Sequence, residues 1–341
     1  MLGLPMQKKI LTIIGILLVL GVAVIFGAWY LQNSQQTFSG PPENVVIGTT
    51  PSLSSTLIYV ADSKGFFTRH GLNVTIQENP LSLTSMNNLV SSTADIAGSS
   101  DYSFMNYLFT EPTLQTFTST AKTDVISIVA RKDRGIASPQ DLAGKTIGCT
   151  KQQAGEFFLG RYLRLNGINS STVTIVNLNP ADMSGALANS TIDAVITWEP
   201  YVTNLQKQLG SNAVVFPAQE GQRYYWLMIC TNKTATDHPE MIRRVLAALV
   251  DAESFTQQNP EEAQQIVADR LHMDPTYIRE VWPKYRPLVS LDQSLIIAME
   301  DEARWSIQNN LTAKKEIPNY RSNIYRDALD AVKPQAVTVI Q

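Results

Sequence analysis

Small hydroxyl and amide side chains recur where a short apolar run ends and a helix-like segment begins. They occur at Thr49–Ser52, Ser99–Asp101 and Thr150–Gln153. Ligands of open α/β sheets bind at such strand ends, and the first turn of a helix leaves backbone N–H groups free beside the hydroxyls. Together these groups form a site for an oxyanion without a cationic side chain. Ordinary helix N-capping needs Ser and Thr at the same places, so both interpretations stay open.

Aromatic and acidic residues follow the same runs and are candidates to line a ligand pocket. Trp and Tyr provide apolar walls with a polar tip. Glu199 precedes Pro200, so its carboxylate either stabilises a helix N-terminus or faces the pocket. Carboxylates facing the pocket would repel a pure anion and favour a zwitterion or an amine-bearing ring. The candidates are Asp101, Tyr102, Phe104, Glu156, Trp198, Glu199, Tyr201, Tyr224, Tyr225 and Trp226, with Arg131 and Lys151 as nearby basic residues.

Little in the sequence indicates catalysis or a metal site. The histidines are His70, His238 and His272, and none has another His or Cys at metal-ligand spacing. The chain has no GxSxG, no GxxxxGK[ST] and no GxGxxG after a strand-like run. We therefore expect a binding protein with no cofactor and no catalytic residue.

The charge balance argues against a nucleic-acid partner. The 341 residues include 27 Lys and Arg against 30 Asp and Glu. Since nucleic-acid binding calls for a basic surface, this acidic balance disfavours it. The length and the 44% hydrophobic content suffice for two core-bearing lobes, and we expect a monomer.

One uncharged apolar segment, residues 10–31, lies near the N-terminus. Its 22 residues match the length that crosses a hydrocarbon core of about 30 Å. Two lysines precede it, so the positive-inside rule assigns residues 1–9 to the cytoplasm. We predict an uncleaved single-pass membrane anchor, a linker at 32–43 and an extracytoplasmic domain. The alternative is a cleaved secretory signal, whose apolar region should be shorter, about 7 to 15 residues.

An extracytoplasmic location bears on the cysteines and on possible glycosylation. Cys149 and Cys230 could pair in an oxidising compartment, but each lies in a short apolar run where a free Cys packs as a small hydrophobe. We expect both thiols to be free. The Asn-x-Ser/Thr sequons are compatible with surface glycosylation, although Asn, Ser and Thr are common throughout the chain. These sequons are Asn73, Asn169, Asn189, Asn232 and Asn310.

The elements that must position the candidate residues form two α/β series. The first starts at residue 44 and reads as a βαβαβ unit, and a second series begins after a connecting strand at 124–132. Expected strands are 45–49, 73–77, 95–99, 145–150, 172–178, 192–197, 213–217 and 224–231, and expected helices are 57–64, 83–91, 153–165, 182–188 and 200–209.

Past residue 237 the pattern is helical only. Ile242, Val245, Leu246 and Leu249 share one stripe of the first such helix. A return of these helices to the first lobe would cover a sheet face that otherwise lacks helices, whereas a third helical domain is the alternative. The resulting prediction assigns 44–125 and 232–341 to lobe I and 126–231 to lobe II.

Several stretches of the chain resemble one known family. YVADSKGFF, DLAGKTIG and WEP, with their surroundings, resemble the nitrate/sulfonate/taurine family of ABC-transporter substrate-binding proteins over nearly the whole chain after residue 44. The resemblance implies a type II periplasmic-binding-protein fold, in which two α/β sandwich lobes close on a ligand. Here a transmembrane helix would precede that fold. It also implies docking of the loaded protein on an ABC permease with its ATPase.

Carried over residue by residue, the resemblance implies ligand contacts from both lobes. These contacts are Thr50, Ser52, Ser54, Ser55, Ser99, Ser100, Asp101, Gln152, Gln153, Glu156, Trp198, Glu199 and Trp226.

The ligand and the use of the fold remain open at this point. A small sulfonate, taurine or nitrate is the first expectation, and a thiamine-precursor pyrimidine or another amine-bearing ligand is the alternative. The family also resembles thiamine-pyrimidine synthases, which are enzymes of the same fold with a Cys-rich stretch and an active-site His. The two cysteines of this chain form no such stretch. A tethered domain that presents its ligand to a signalling receptor is a further hypothesis.

Overall fold

The computed structural model describes residues 38–340, and the strands in this part of the chain form two sheets. The strands are β1 (Glu43–Thr49), β2 (Leu72–Glu78), β3 (Ile96–Ser100), β4 (Leu114–Thr123), β5 (Ile126–Arg131), β6 (Thr146–Cys149), β7 (Thr174–Asn177), β8 (Ala194–Trp198), β9 (Ala213–Pro217), β10 (Tyr224–Thr231) and β11 (Tyr285–Ser290).

Helices connect and cover the strands of both sheets. They are α1 (Thr56–Ser63), α2 (Phe66–Arg69), α3 (Ser82–Val90), α4 (Asp101–Leu108), α5 (Ala154–Leu165), α6 (Pro180–Ala188), α7 (Tyr201–Leu209), α8 (Asn232–Asp237), α9 (Pro239–Gln258), α10 (Pro260–Leu271), α11 (Pro275–Val281), α12 (Gln293–Gln308) and α13 (Asp327–Val332).

Each sheet combines parallel and antiparallel strands. The first sheet has the order β11-β4-β10-β3-β1-β2, with β1 parallel to β2 and β3, and with β10 antiparallel to β3 and β4. The second has the order β7-β6-β8-β5-β9, with β6 parallel to β7 and β8, and β5 antiparallel to β8 and β9. These two helix-covered sheets confirm the predicted two-lobed α/β architecture.

The helices after residue 237 cover the first sheet rather than building a third domain. Helix α9 packs against α1 and α2, with the Phe255 ring 6.2 Å from that of Phe66. Its apolar stripe, including Ile242 and Val245, is buried. Helix α12 contacts α4 of the first lobe and α5 of the second. The C-terminal region therefore reaches both sides of the gap between the lobes.

The chain crosses between the lobes at two short segments, which the side chain of Gln219 joins. One segment links β4 to β5, and the other, residues 218–223, links β9 to β10. Gln219 is buried, and its Oε1 accepts from the backbone N–H groups of Val125 (2.5 Å) and Ile126 (2.8 Å). Its Nε2 donates to the carbonyl of Thr123 at 2.9 Å. These bonds tie the two crossing segments into one hinge.

Three strands differ from the sequence-based prediction. The prediction assigns strand β10 to lobe II within 126–231, but β10 hydrogen-bonds to β3 and β4 in the first sheet and so belongs to lobe I.

Strand β4 is absent from the prediction, because its run TFTSTAKT is polar for a buried strand. Its hydroxyls bond to backbone carbonyls, as Thr116 Oγ1 does to Met228 O at 3.1 Å, which removes the cost of burial. Strand β11 contains Pro287, which a sheet tolerates at its edge, where β11 lies.

The predicted anchor at 10–31, the cytoplasmic tail at 1–9 and most of the linker at 32–43 lie outside the described residues. Within 38–340, no helix has both the length and the apolar character needed to cross a bilayer. The described end of the linker touches lobe I, where Phe38 N donates to Arg69 O at 3.0 Å. Gly71 has φ +70° and lies under the Phe38 ring, which a Cβ there would meet at 2.1 Å, so the sequence needs glycine at this contact.

Both cysteines are free and buried, as expected. Cys149 lies in β6 of the second sheet and Cys230 in β10 of the first. Burial raises the pKa of the Cys230 thiol to about 12 and that of Cys149 well above its usual value, so both stay protonated at neutral pH. The asparagines of all five sequons are exposed, as a glycan would require, while their glycosylation stays a prediction.

Candidate functional site

The carboxyl ends of the parallel strands in both sheets meet at one cleft between the lobes. The cleft encloses about 520 Å³. The first lobe contributes the segments after β1, β2 and β3, and the second lobe those after β6 and β8. The lining consists of Thr50, Ser52, Ser54, Leu81, Ser82, Ser100, Val125, Ile126, Gln153, Ala154, Trp198, Glu199, Tyr224, Trp226 and Tyr285.

The hydroxyl groups of the first lobe form one wall of the cleft. Thr50 Oγ1 and Ser52 Oγ are buried and have no hydrogen-bond partner within residues 38–340. They stand between β1 and the 3₁₀ turn that leads into α1. Ser55 lies just behind them, where its Oγ donates to Thr50 O (2.9 Å) and contacts Thr49 Oγ1 (2.8 Å). Ser55 thus shapes the loop, whereas Thr50 and Ser52 keep donors free for a ligand.

Aromatic side chains from β10 and β11 form a second wall. The indole Nε1 of Trp226 is buried without a partner in the described part of the chain. Gly98 on β3 makes room for it, since a Cβ there would lie 3.0 Å from that nitrogen and 2.6 Å from Thr49 Oγ1. Burial raises the pKa of the Tyr224 and Tyr285 phenols well above the usual value, so both remain protonated donors. This wall therefore offers flat apolar surface and neutral donors together.

The two lobes touch each other beside the cleft. Ser82 Oγ of the first lobe donates to Gln153 Oε1 of the second at 3.0 Å. Ser103 Oγ donates to the backbone carbonyl of Gln152 at 3.3 Å. Gln153 is buried immediately before α5, whose free first-turn N–H groups lie close to this contact. The lobes are therefore in direct contact beside the cleft, and we call this arrangement closed.

Glu199 is buried at the cleft, and all its described partners neutralise or satisfy its carboxylate. Oε1 pairs with Lys284 Nζ of the other lobe at 2.6 Å. Oε2 accepts from Thr203 Oγ1 (2.8 Å), Thr203 N (3.2 Å) and the Tyr277 hydroxyl (3.3 Å). Glu199 therefore caps the start of α7 and forms a cross-lobe ion pair. An amine-bearing ligand would have to compete with Lys284 for it.

Two other predicted acids lie outside the cleft lining, Asp101 in the interior and Glu156 half-buried. Asp101 is fully buried, and its carboxylate accepts from Tyr102 N (2.9 Å) and Tyr225 N (3.2 Å). Burial raises the pKa of Asp101 to about 7, although these two backbone hydrogen bonds act to lower it. Glu156 lies in the first turn of α5 and accepts from Gln152 N at 2.9 Å. Asp101 and Glu156 thus hold helix starts in place.

Of the thirteen ligand contacts that the resemblance implies, the structure brings eight into the cleft lining: Thr50, Ser52, Ser54, Ser100, Gln153, Trp198, Glu199 and Trp226. Tyr224, predicted as a pocket residue from its position after a strand-like run, lines the cleft as well. Five predicted residues lie beside the lining without forming part of it: Ser55, Ser99, Asp101, Gln152 and Glu156. Of the basic candidates, Arg131 pairs with Asp133 at 2.6 Å and Lys151 is exposed, and neither lines the cleft. Among the described lining residues none carries a positive charge.

The sequence reading missed several lining residues. Ser82 opens α3 after β2, so it carried the same strand-to-helix signal as Ser52 and could have been found. Val125 and Ile126 belong to the hinge, which periodicity does not mark. Tyr285 comes from the unpredicted strand β11, so nothing local to it indicated the cleft.

Two α/β lobes, two chain crossings and a donor-lined cleft between the lobes define the class of fold: the two-lobed fold of periplasmic binding proteins. The sequence places the chain more narrowly. Residues 52–263 match the family model described as NMT1/THI5 like, and the chain belongs to this family.

The chain is similar to several curated binding proteins. A binding protein of Brucella abortus is 26% identical over 231 residues, which span 63% of this chain and 67% of the relative. A Bacillus subtilis protein named for binding aliphatic sulfonates is 24% identical over 55% of this chain and 57% of its own. The taurine-binding periplasmic protein of Escherichia coli is 28% identical over 37% of this chain and 40% of its own.

Solved structures share the fold. The alkanesulfonate-binding protein SsuA of Xanthomonas axonopodis pv. citri, bound to MOPS, superposes with a TM-score of 0.72 at 18% identity, covering 84% of this chain and all of that chain. The desulfurization enzyme DszB superposes with a TM-score of 0.63 at 15% identity, covering 86% and 99%. The same fold is thus used for binding and for catalysis.

Proposed function

We propose that this protein captures a small organosulfonate, such as taurine or an alkanesulfonate, in the cleft and delivers it to an ABC importer at the membrane. One observation carries the proposal: the cleft presents buried neutral donors that have no partner in the described part of the chain, namely Thr50 Oγ1, Ser52 Oγ and Trp226 Nε1. A sulfonate offers three acceptor oxygens and needs donors rather than a full counter-charge when helix N-termini are near. The relatives named for sulfonate and taurine binding support the same ligand class.

An N-terminal membrane helix at 10–31 is part of this proposal. It would hold the lobes outside the cytoplasm, next to the permease of an importer that also contains an ATPase. Support comes from the 22-residue uncharged segment and the two lysines before it. Protease protection of the full chain in sealed membrane vesicles tests it, because residues 38–340 should be cleavable only from the outer side.

The enzyme alternative finds little support in the cleft. None of its described lining residues is a cysteine or a histidine, so a thiol or imidazole mechanism would lack its group there. A ligand whose amine must pair with the Glu199 carboxylate, as an aminopyrimidine would, is disfavoured because Lys284 already pairs with that carboxylate.

A thermal-shift and calorimetric screen tests the ligand class. Taurine, alkanesulfonates, nitrate and a thiamine-type aminopyrimidine are compared on the full chain in mild detergent. A ligand at a concentration of about 100 times its dissociation constant should raise the free energy of unfolding of the protein by about 2.7 kcal/mol. Stabilisation by sulfonates alone supports the proposal, whereas selective stabilisation by the aminopyrimidine overturns it.

A further inference from the structure

A second pocket lies between the lobes, apart from the cleft described above. It encloses about 360 Å³ between α5 of the second lobe, α12 of the C-terminal region and the hinge segment 218–223. Its lining residues are Phe157, Arg161, Arg164, Gln222, Asp301, Arg304, Trp305 and Gln308. None of these residues belongs to the lining of the cleft. We call this site the arginine pocket.

The arginine pocket carries an excess of positive charge. Three guanidinium groups, those of Arg161, Arg164 and Arg304, line it together with one carboxylate, Asp301. That carboxylate already forms an ion pair with Arg304, at 2.5 Å. Glu220 also attracts Arg161 from the hinge side, but burial and the neighbouring Arg164 together lower the pKa of Arg161. Arg161 therefore remains a partly desolvated cation whose charge the protein compensates incompletely.

Two donor atoms in the arginine pocket are buried without a hydrogen-bond partner within residues 38–340. They are Nη1 of Arg161 and Nε2 of Gln222. The hinge segment brings them together, because a Cβ on Gly221 would lie 3.7 Å from Arg161 Nη2. Buried donors normally find partners, and an unmet one costs about 1 to 3 kcal/mol. Two such donors beside one polar pocket point to an acceptor ligand.

The shape and charge of the pocket restrict that ligand. Guanidinium groups bind the oxygens of phosphate and sulfate in a bidentate way. Several guanidinium groups together favour a doubly charged anion over a singly charged one. The Phe157 and Trp305 rings, whose centroids are 5.7 Å apart, close one side and limit solvent screening.

We propose that the arginine pocket binds a doubly charged tetrahedral oxyanion, of which inorganic phosphate and sulfate are the simplest. Arg161 and Gln222 donate from α5 and the hinge, and Arg304 donates from α12. The anion thereby bridges the second lobe and helix α12 of the first. Because it contacts both lobes, it favours the closed arrangement in which these side chains converge.

Isothermal titration of the full chain in mild detergent with inorganic phosphate, then with sulfate, tests this site. Chloride at equal ionic strength serves as the monovalent control. Arg161→Gln should weaken phosphate binding by at least about tenfold, because it removes a charge-assisted contact. Arg164→Gln, at an exposed side chain, is the second variant if Arg161→Gln does not fold. Arg243→Gln, an exposed arginine of α9 that pairs with Glu240, is the matched control and should bind as the wild type does.

The cleft variant Ser52→Ala distinguishes the arginine pocket from the cleft. Phosphate binding that survives Ser52→Ala but falls in Arg161→Gln supports the proposal, whether or not any sulfonate binds. Binding lost in Ser52→Ala and kept in Arg161→Gln would place the anion in the cleft and overturn it. Absence of saturable binding to the wild type, or equal affinity for chloride, would overturn it as well.

Discussion

The side chains that line the cleft offer a ligand donors that carry no net charge. Among residues 38–340, the Ser52 and Thr50 hydroxyls and the Trp226 indole N–H have no hydrogen-bond partner. Leaving such groups buried and unmatched costs stability, which the protein accepts where a ligand will use them. The residue-scale signature of binding is therefore a loss of affinity without a loss of stability.

Ser52→Ala should show this signature. The variant should bind its sulfonate roughly ten- to 100-fold more weakly, because about 1.5 to 3 kcal/mol is lost with a hydrogen bond to a charged group. The ligand-free protein should unfold at the same or a slightly higher temperature, since an unmatched buried hydroxyl is removed. Titration calorimetry and thermal unfolding measure the two quantities.

Ser55→Ala is the matched control for Ser52→Ala. Its hydroxyl is bonded to Thr49 and Thr50, so its removal should lower the free energy of unfolding by about 1 kcal/mol. If Ser52→Ala destabilised the ligand-free chain as much as Ser55→Ala does, Ser52 would be a structural residue.

Asp101 should make stability depend on pH between about 4 and 7. Burial raises the pKa of its carboxyl from 3.8 to about 7, so the folded state binds a proton that the unfolded state has released. The contribution of the protonated Asp101 carboxyl to the free energy of unfolding is fully present below about pH 4 and is lost as the pH rises through 7. Glu302 is also fully buried, and burial and the nearby Asp101 raise its pKa, so it adds to this dependence. Asp101→Asn should therefore remove part of the fall in the free energy of unfolding between pH 4 and 8, an effect on the order of a few kcal/mol. Denaturant unfolding at several pH values measures this difference, and parallel pH profiles would contradict it.

At the scale of helices and strands, the sequence predicted what periodicity and caps determine. The runs before Thr50, Ser100 and Gln153 are apolar strands followed by helix starts, so their positions at the cleft could be inferred. Strands β4 and β11 could not, because a hydroxyl-rich buried strand and a proline-containing edge strand lack the apolar pattern. The ion-pair partner of Glu199 could not be predicted either, because Lys284 is 85 residues away in sequence and contacts Glu199 only in the folded protein.

The side chain of Gln219 makes three hydrogen bonds that join the two crossing segments of the hinge. Gln219→Ala removes the partners of two backbone N–H groups and one carbonyl that join the crossing segments. We expect a loss of about 2 to 4 kcal/mol in the free energy of unfolding and faster amide exchange at 124–126. Gln206→Ala, at an exposed position of α7, is the control. Unchanged exchange at 124–126 would show that Gln219 does not hold the hinge.

For the whole molecule, the contacts between the lobes determine how far the closed arrangement is populated. The Ser82–Gln153 bond and the Glu199–Lys284 ion pair both cross between the lobes. Ligand affinity is reduced by the fraction of molecules that are not in the binding-competent state. A residue that never touches the ligand can therefore change affinity by changing that fraction.

Lys284→Met tests this coupling, because Lys284 is outside the cleft lining. The variant leaves Glu199 buried without its cation, which favours an open arrangement where water reaches the carboxylate. We expect a larger radius of gyration of the ligand-free protein by small-angle scattering and a roughly tenfold weaker ligand affinity. The double variant Lys284→Met/Glu199→Gln restores neutrality, so it should recover most of the compactness and most of the ligand affinity of the wild type. If the single and double variants were equally open and equally weak, the loss would come from removing the lysine stem and not from the uncompensated charge.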